Sequence, residues 1–365
     1  MNFIKSIFEK KKQSITSYSD FWTWFQKYER QFFQVVKEHK EIEKDFFDKL
    51  SPKLNELKDG YFYLTGMYDT NTVELILTAD GNVNNIAFIE ELINAAPQIS
   101  GWKFTALKPE LNIKDVAIKM AGYEFNETNI HFYSNVFSKY PDEIDITIVH
   151  DDLTDENKSN ITNGACIFLE NYLGELNFAT CIDNLSIVGK KEAKLELIPI
   201  AKLKDFLKWR QKEFVEKNEG VRRNTAEDNY SILDAELESG NRLLAVINTD
   251  LLNWDNKASH PWIAAITLKF DGNNNGGLPE SDDYELLNTI EEAIMQELKD
   301  FDGYLNIGRE TANSERDIYF ACKDFRLPSK VFHDIQKTYN NYFEIEYDIF
   351  KDKYWQFFER FSTAQ

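Results

Sequence analysis

Residues 303–325 read GYLNIGRETANSERDIYFACKDF, two alternating runs around a polar turn, and that pattern admits little besides a β-hairpin. Leu305, Ile307 and Arg309 alternate with Tyr304, Asn306, Gly308 and Glu310, and Arg316, Ile318, Phe320 and Cys322 alternate with Asp317, Tyr319 and Ala321. A four-residue turn at 311–314 sets Glu310 opposite Glu315 and Arg309 opposite Arg316. Directly opposed side chains share a face, so this register places the two guanidinium groups together, beside Leu305, Ile307, Ile318 and Phe320. Like charges so placed need carboxylates or a bound anion between them.

The surrounding order of elements extends the hairpin into a sheet. Trp262, Ala264, Ile266, Leu268 and Phe270 mark a strand, and Leu287, Ile290, Ile294 and Leu298 give the apolar stripe of a helix at 283–298. After the hairpin, Pro328 opens a helix carrying Val331, Phe332, Ile335 and Tyr339, and Phe343, Ile345, Tyr347 and Ile349 form a last strand. The order βαββαβ with right-handed crossovers predicts a ferredoxin-like antiparallel sheet carrying both helices on one face. The opposite face then shows Ile263, Ala265 and Thr267, Asp317, Tyr319 and Ala321, and Glu344, Glu346 and Asp348. RNA-binding sheets of this topology present paired aromatics and basic side chains there. One tyrosine and an acidic edge argue against nucleic acid.

Upstream, Phe21, Phe25, Tyr28, Phe32, Val35, His39, Ile42 and Phe46 recur at spacings of four and three, which predicts a long amphipathic helix over 17–57 with a break near Pro52. Its stripe serves either a partner or, more commonly, the chain's own sheet. His39 reads as a packed histidine. Strands follow at 61–67, 73–79, 102–107, 130–137, 144–150 and 183–188, with helices at 85–96, 155–173 and 200–216. The fold class is α+β. Residues 1–216, the long helix plus an N-terminal α+β domain, are joined by a polar linker at 217–228 to the ferredoxin-like domain at 229–365. The similar order of elements, with an extra leading strand at 243–249 in the second domain, suggests that the two domains share an architecture.

Asp and Glu number 62 against 42 Lys and Arg, a formal charge of -20, which disfavours nucleic acid and anionic membranes and attracts basic partners. Cys166, Cys181 and Cys322 form no CxxC pair, as expected of a reducing cytoplasm. Residues 1–12 hold too little apolar sequence for a signal peptide core.

No GxGxxG, Walker, HExxH or GxSxG motif is present, and no cofactor is implied. Asp271, Asn273, Asn275, Gly276 and Asp282 sit at calcium-loop spacing, though the last ligand is Asp where Glu is usual; an Asn/Gly-rich connection explains the same residues. His150, Asp151, Asp152, Asp155 and Glu156 cluster where a helix begins, a place that favours acids through its dipole. His150 would serve Cys166 as a base only if the fold joined them. Candidate binding residues are Arg309, Arg316, His260, Trp262, Asp317, Tyr319 and Trp355.

The stretches SHPWIAAITLKF at 259–270, GLPESDDY at 277–284, the hairpin itself, and DKYWQFFERF at 352–361 resemble the bacterial domain-of-unknown-function 695 family over roughly 230–361. That resemblance implies no catalytic residues. In topology and acidity the same region is loosely similar to protein regulators of ribonuclease, which implies a binding role by analogy. The expectation is a non-enzymatic adaptor or inhibitor with a basic protein partner and no membrane. The alternative is an enzyme or small-anion sensor built on the arginine pair.

Overall fold

The computed structural model describes residues 14–361, so the reading of residues 1–12 lies outside it. The chain is mixed α+β and forms two compact units, 1–80 with 88–108, and 81–87 with 109–365. Among the described residues no helix is long and apolar enough to cross a membrane.

In the first unit, α1 (Tyr18–Glu38) is capped by Ser17, whose side chain accepts from the Asp20 N–H. The predicted single helix ends there. His39 takes a left-handed conformation and Glu41 does too; a π-helical turn at Glu43–Phe47 then leads into α2 (Asp48–Asn55), which contains Pro52 without ending at it. His39 is therefore an exposed cap and does not belong to the packed seam. Strands β1 (Phe62–Met67), β2 (Val73–Thr78) and β3 (Trp102–Ala106) follow, with α3 (Val83–Asn94) between the last two. The helical crossover leaves β2 and β3 parallel, whereas the short β1–β2 turn makes an antiparallel pair. The aromatic stripe packs on this unit's own sheet: Phe25 meets Trp102 at 5.0 Å, and Phe32 stacks on Phe46 at 4.5 Å.

The second unit begins with a short hairpin, β4 (Ile118–Met120) and β5 (Tyr123–Phe125). A four-stranded sheet in the order β8-β7-β6-β9 follows, from β6 (Ile130–Asn135), β7 (Asp145–His150), β8 (Asn184–Gly189) and β9 (Ile198–Pro199). Helices α4 (Lys158–Leu173), α5 (Glu175–Cys181) and α6 (Leu203–Asn218) accompany it. Ile146, Ile148, Phe132, Phe168 and Leu169 are fully buried in one core. The N-terminal half thus holds a three-stranded sheet in the first unit and, in the second, the β4–β5 pair and a four-stranded sheet, where the order of elements had suggested a single counterpart of the C-terminal sheet.

The rest of the second unit is one six-stranded sheet in the order β10-β11-β13-β14-β12-β15. Its strands are β10 (Tyr230–Glu236), β11 (Arg242–Asn248), β12 (Trp262–Lys269), β13 (Tyr304–Ala312), β14 (Glu315–Cys322) and β15 (Glu344–Lys351). A short α7 (Thr249–Leu252) follows β11, α8 (Ser281–Glu297) links β12 to β13, and α9 (Arg326–Tyr339) links β14 to β15. β10 and β11 extend the four strands of the βαββαβ order; β11 matches the leading strand expected at 243–249, whereas β10, which alternates exposed and half-buried residues with Ile232 exposed, was not foreseen. The α8 and α9 stripes, Leu287, Ile290, Ile294, Val331, Phe332 and Ile335, are buried, and Phe332 packs on Phe320 of β14.

The hairpin register differs from the expected one. The turn is Asn313-Ser314, both at positive φ (51° and 68°), which is a two-residue loop matched to strand twist. Arg316 therefore opposes Thr311, Glu315 opposes Ala312, and Arg309 opposes Ile318. A bulge between Asn306 and Gly308 reverses the alternation: Leu305 and Ile307 belong to the core on the opposite face, while Arg309 stays on the face that carries the helices. Gly308 makes the bulge possible. Its φ is 135°, and a Cβ there would lie 2.1 Å from the Val246 carbonyl oxygen of the neighbouring strand. Gly308→Ala is expected to destabilise by at least about 2 kcal/mol, because φ strain and a backbone clash add; a urea midpoint equal to wild type would show that the bulge relaxes freely.

Candidate functional site

The seven candidate binding residues separate into three places. Arg309 and Arg316 lie on the helix-bearing face, diagonal to each other and joined by α8. Arg309 Nη1 donates to Glu291 Oε2 at 2.8 Å. Arg316 is 2% exposed; its Nη1 donates to Asn288 Oδ1 at 2.8 Å, its Nε donates to Thr311 Oγ1 at 3.1 Å, and its guanidinium lies 5.3 Å from the Tyr284 ring. Burial and the Arg309 charge bring its pKa down to about 10. One internal carboxylate, two neutral acceptors and an aromatic face thus surround the pair, and solvent does not reach Arg316.

His260 and Trp355 meet under the opposite face. Trp355 is 1% exposed, and its Nε1 donates to the His260 carbonyl at 2.9 Å. His260 is fully buried, hydrogen-bonded through Nδ1 to Ser259 Oγ at 2.8 Å, and burial holds its pKa down to about 3, with lesser contributions from Lys323 and Arg222. Asp352 accepts from the Gln356 and Phe357 N–H groups, at 3.0 and 2.8 Å, and so starts a terminal 3-10 helix, Gln356–Phe361. That helix lays Phe357 and Phe358 on Tyr319 at 5.5 and 5.4 Å. The aromatic centre of the face is therefore closed by the chain itself.

Beyond that cover the face turns acidic. The registers of β13, β14, β12 and β15 bring Glu310, Asp317, Thr267 and Glu346 into one row, and Ala312, Glu315, Lys269 and Glu344 into the next. Asp348 lies on the same face. Lys269 is held by Glu344 at 2.7 Å and Glu346 at 3.2 Å, Arg360 by Glu310 at 2.9 Å, and Asp317 accepts from Thr267 Oγ1 at 2.5 Å. Six carboxylates against two cations leave a negative patch at an open sheet edge, with Glu344, Glu346 and Asp348 exposed.

Trp262 belongs to the third place, a cavity of about 490 Å³ that it lines together with side chains from α5, α6 and the start of α9. Arg222, Lys323, Arg326 and Lys351 also line it. These cations went unnoticed in the sequence, where Arg222 is one of a pair in a polar linker and the others are scattered.

The remaining motif residues make local contacts. Asp271 Oδ1 accepts from the Asn273 backbone and side chain at 3.2 and 2.9 Å, Asn275 Nδ2 donates to the Pro279 carbonyl at 3.1 Å, and Asp282 sits in the first turn of α8. Both ring nitrogens of His150 are engaged: Nδ1 accepts from the Asp152 N–H at 3.1 Å, and Nε2 lies 3.0 Å from the Glu124 carbonyl. Asp151 pairs with Lys190 at 3.3 Å, and Asp155 and Glu156 lie in a 3-10 turn whose capping box joins Thr154 and Asn157. Among the described residues no group of three or more His, Cys, Asp or Glu is placed to hold a metal ion. Burial pushes up the thiol pKa at Cys166, Cys181 and Cys322.

Residues 239–362 match the family described as Family of unknown function (DUF695). Comparison with curated proteins and with solved structures finds no match.

Proposed function

We propose that this chain is a non-enzymatic binding protein, an adaptor or inhibitor, whose acidic sheet end engages a basic segment of a partner protein. The observation that carries this reading is the convergence of Glu310, Glu315, Asp317, Glu344, Glu346 and Asp348 on one end of one face, against Lys269 and Arg360. The overall charge of -20 would steer a basic partner toward it. The same charges discourage β15 from pairing with other copies of the chain. The strand order β13-β14-β12-β15, with α8 and α9 as the crossovers, supports reading the last four strands as a ferredoxin-like sandwich to which β10 and β11 are appended.

Capture with the full chain from its source cells tests the proposal. Basic proteins should be retained at about 50 mM salt and largely released near 300 mM, where screening shortens the reach of surface charge. The triple variant E344Q/E346Q/D348N should lose them. Recovery of no partner at either salt, or equal recovery by the triple variant, would overturn the reading.

A further inference from the structure

The cavity beside Trp262 gathers positive charge in a chain with a large excess of acid. Arg222 comes from the connection after α6, Lys323 and Arg326 from the end of β14 and the start of α9, and Lys351 from the end of β15. Two of the four have carboxylate partners. Arg326 pairs with Asp324 at 2.8 Å, and Lys351 pairs with Asp183 at 2.8 Å while donating to the Thr180 carbonyl at 2.6 Å. Among the described residues the other two have none. Lys323 Nζ donates to the Val221 carbonyl, and Arg222 Nη1 donates to the carbonyls of Glu219 at 3.0 Å and Val221 at 2.8 Å.

Lys323 and Arg222 therefore converge on one short stretch of backbone whose carbonyls neutralise neither. Burial and the Arg222 charge both lower the Lys323 pKa, so its charged form is penalised as the site stands. A bound anion would relieve that penalty at Lys323, and a guanidinium with an ammonium suits a phosphate or carboxylate head. Glu219, exposed, and Asp324, already taken by Arg326, are the carboxylates that line the space.

The walls indicate what accompanies the head group. Trp262 is 7% exposed and packs edge-on against Phe325 at 4.8 Å, and Phe214 and Val215 of α6 also line the cavity. At about 490 Å³ the space falls within the range of small-ligand sites, which are apolar with a few polar groups. We propose that this cavity binds a small organic anion, with a phosphate or carboxylate head between Arg222 and Lys323 and an apolar body against Trp262 and Phe214.

The experiment is calorimetric titration of the full chain with phenyl phosphate, benzoate and inorganic phosphate. Phenyl phosphate or benzoate should bind with a Kd of about 1 mM or tighter, and more tightly than inorganic phosphate, because the apolar body contributes. Preference between the first two identifies the head group as a phosphate ester or a carboxylate. Arg222→Gln and Lys323→Gln should each weaken binding about tenfold, while Arg242→Gln, on the β10–β11 hairpin and paired with Asp234, should leave it unchanged. Should Lys323→Gln fail to fold, Arg222→Gln carries the comparison, because Arg222 is exposed. Absence of heat with every probe at about 5 mM, or unchanged affinity in Arg222→Gln, overturns the proposal. Binding that persists in E344Q/E346Q/D348N separates this site from the acidic sheet end.

Discussion

Glu291→Ala is expected to destabilise the chain by about 3–5 kcal/mol, because it leaves two guanidinium groups in the core region without a counter-charge. Glu291 is 6% exposed on α8 and accepts from Arg309 at 2.8 Å. Its charge also acts on Arg316, whose hydrogen-bond partners among the described residues, Asn288 and Thr311, are neutral. Removing the carboxylate keeps the cost of burying Arg316 and adds unrelieved repulsion from Arg309. The second substitution in E291A/R316M should recover part of the loss, since it deletes one of the two repelling charges and fills the space with an apolar chain. Urea midpoints of the single and double variants measure this. A loss below about 1 kcal/mol in E291A, the range of exposed ion pairs, would mean that solvent rather than Glu291 neutralises the arginines.

That cluster also shows what the sequence made legible. Alternation along 315–322 identifies the strand and the common face of Arg316, Ile318 and Phe320, because side-chain period is a local property. Whether Arg309 meets Arg316 depends on loop length and on one inserted residue. Thr311 and Ala312 look like turn residues yet extend β13, since Asn313 and Ser314 both accept positive φ and close the hairpin in two residues. The bulge at Ile307 leaves no trace in hydrophobicity; its signal is Gly308, and only the proximity of the Val246 carbonyl explains that glycine. Likewise α1 stops at His39 with neither proline nor glycine to announce it. Arg222 lies about a hundred residues before Lys323 and Arg326, and Lys351 lies a further strand and helix on, so no window of sequence could have collected the cavity cations.

A buried ion cluster in the second unit gives the other large effect. Asp183 Oδ2 lies 2.7 Å from Lys353 Nζ, its Oδ1 lies 2.8 Å from Lys351 Nζ, and Oδ2 also accepts from the Ile144 N–H at 2.6 Å. Lys353 is 2% exposed, donates to the Asp142 carbonyl at 2.7 Å and stands 4.5 Å from the Phe214 ring. One carboxylate thus serves two ammonium groups. Burial would raise the Asp183 pKa, but Lys351 and Lys353 hold it below the ordinary value; burial and Lys351 bring Lys353 down to about 8. Asp183→Ala should cost about 3–5 kcal/mol, since both lysines then lose their counter-ion in a dry setting. The sign of the pH dependence follows from Lys353. Between its folded pKa of about 8 and an unfolded value of about 10.4, the unfolded chain holds a proton that the folded chain has released. Stability attributable to Lys353 therefore rises with pH across that window, by at most about 1.4 kcal/mol per pH unit, whereas the Asp183 contribution is present above about pH 3.9 and is lost as the pH falls. Lys353→Met should flatten the alkaline rise in denaturation midpoints by the Lys353 share while wild type and Arg242→Gln keep it in full. An identical alkaline profile in Lys353→Met would show that Lys353 remains charged in the folded chain up to its ordinary pKa.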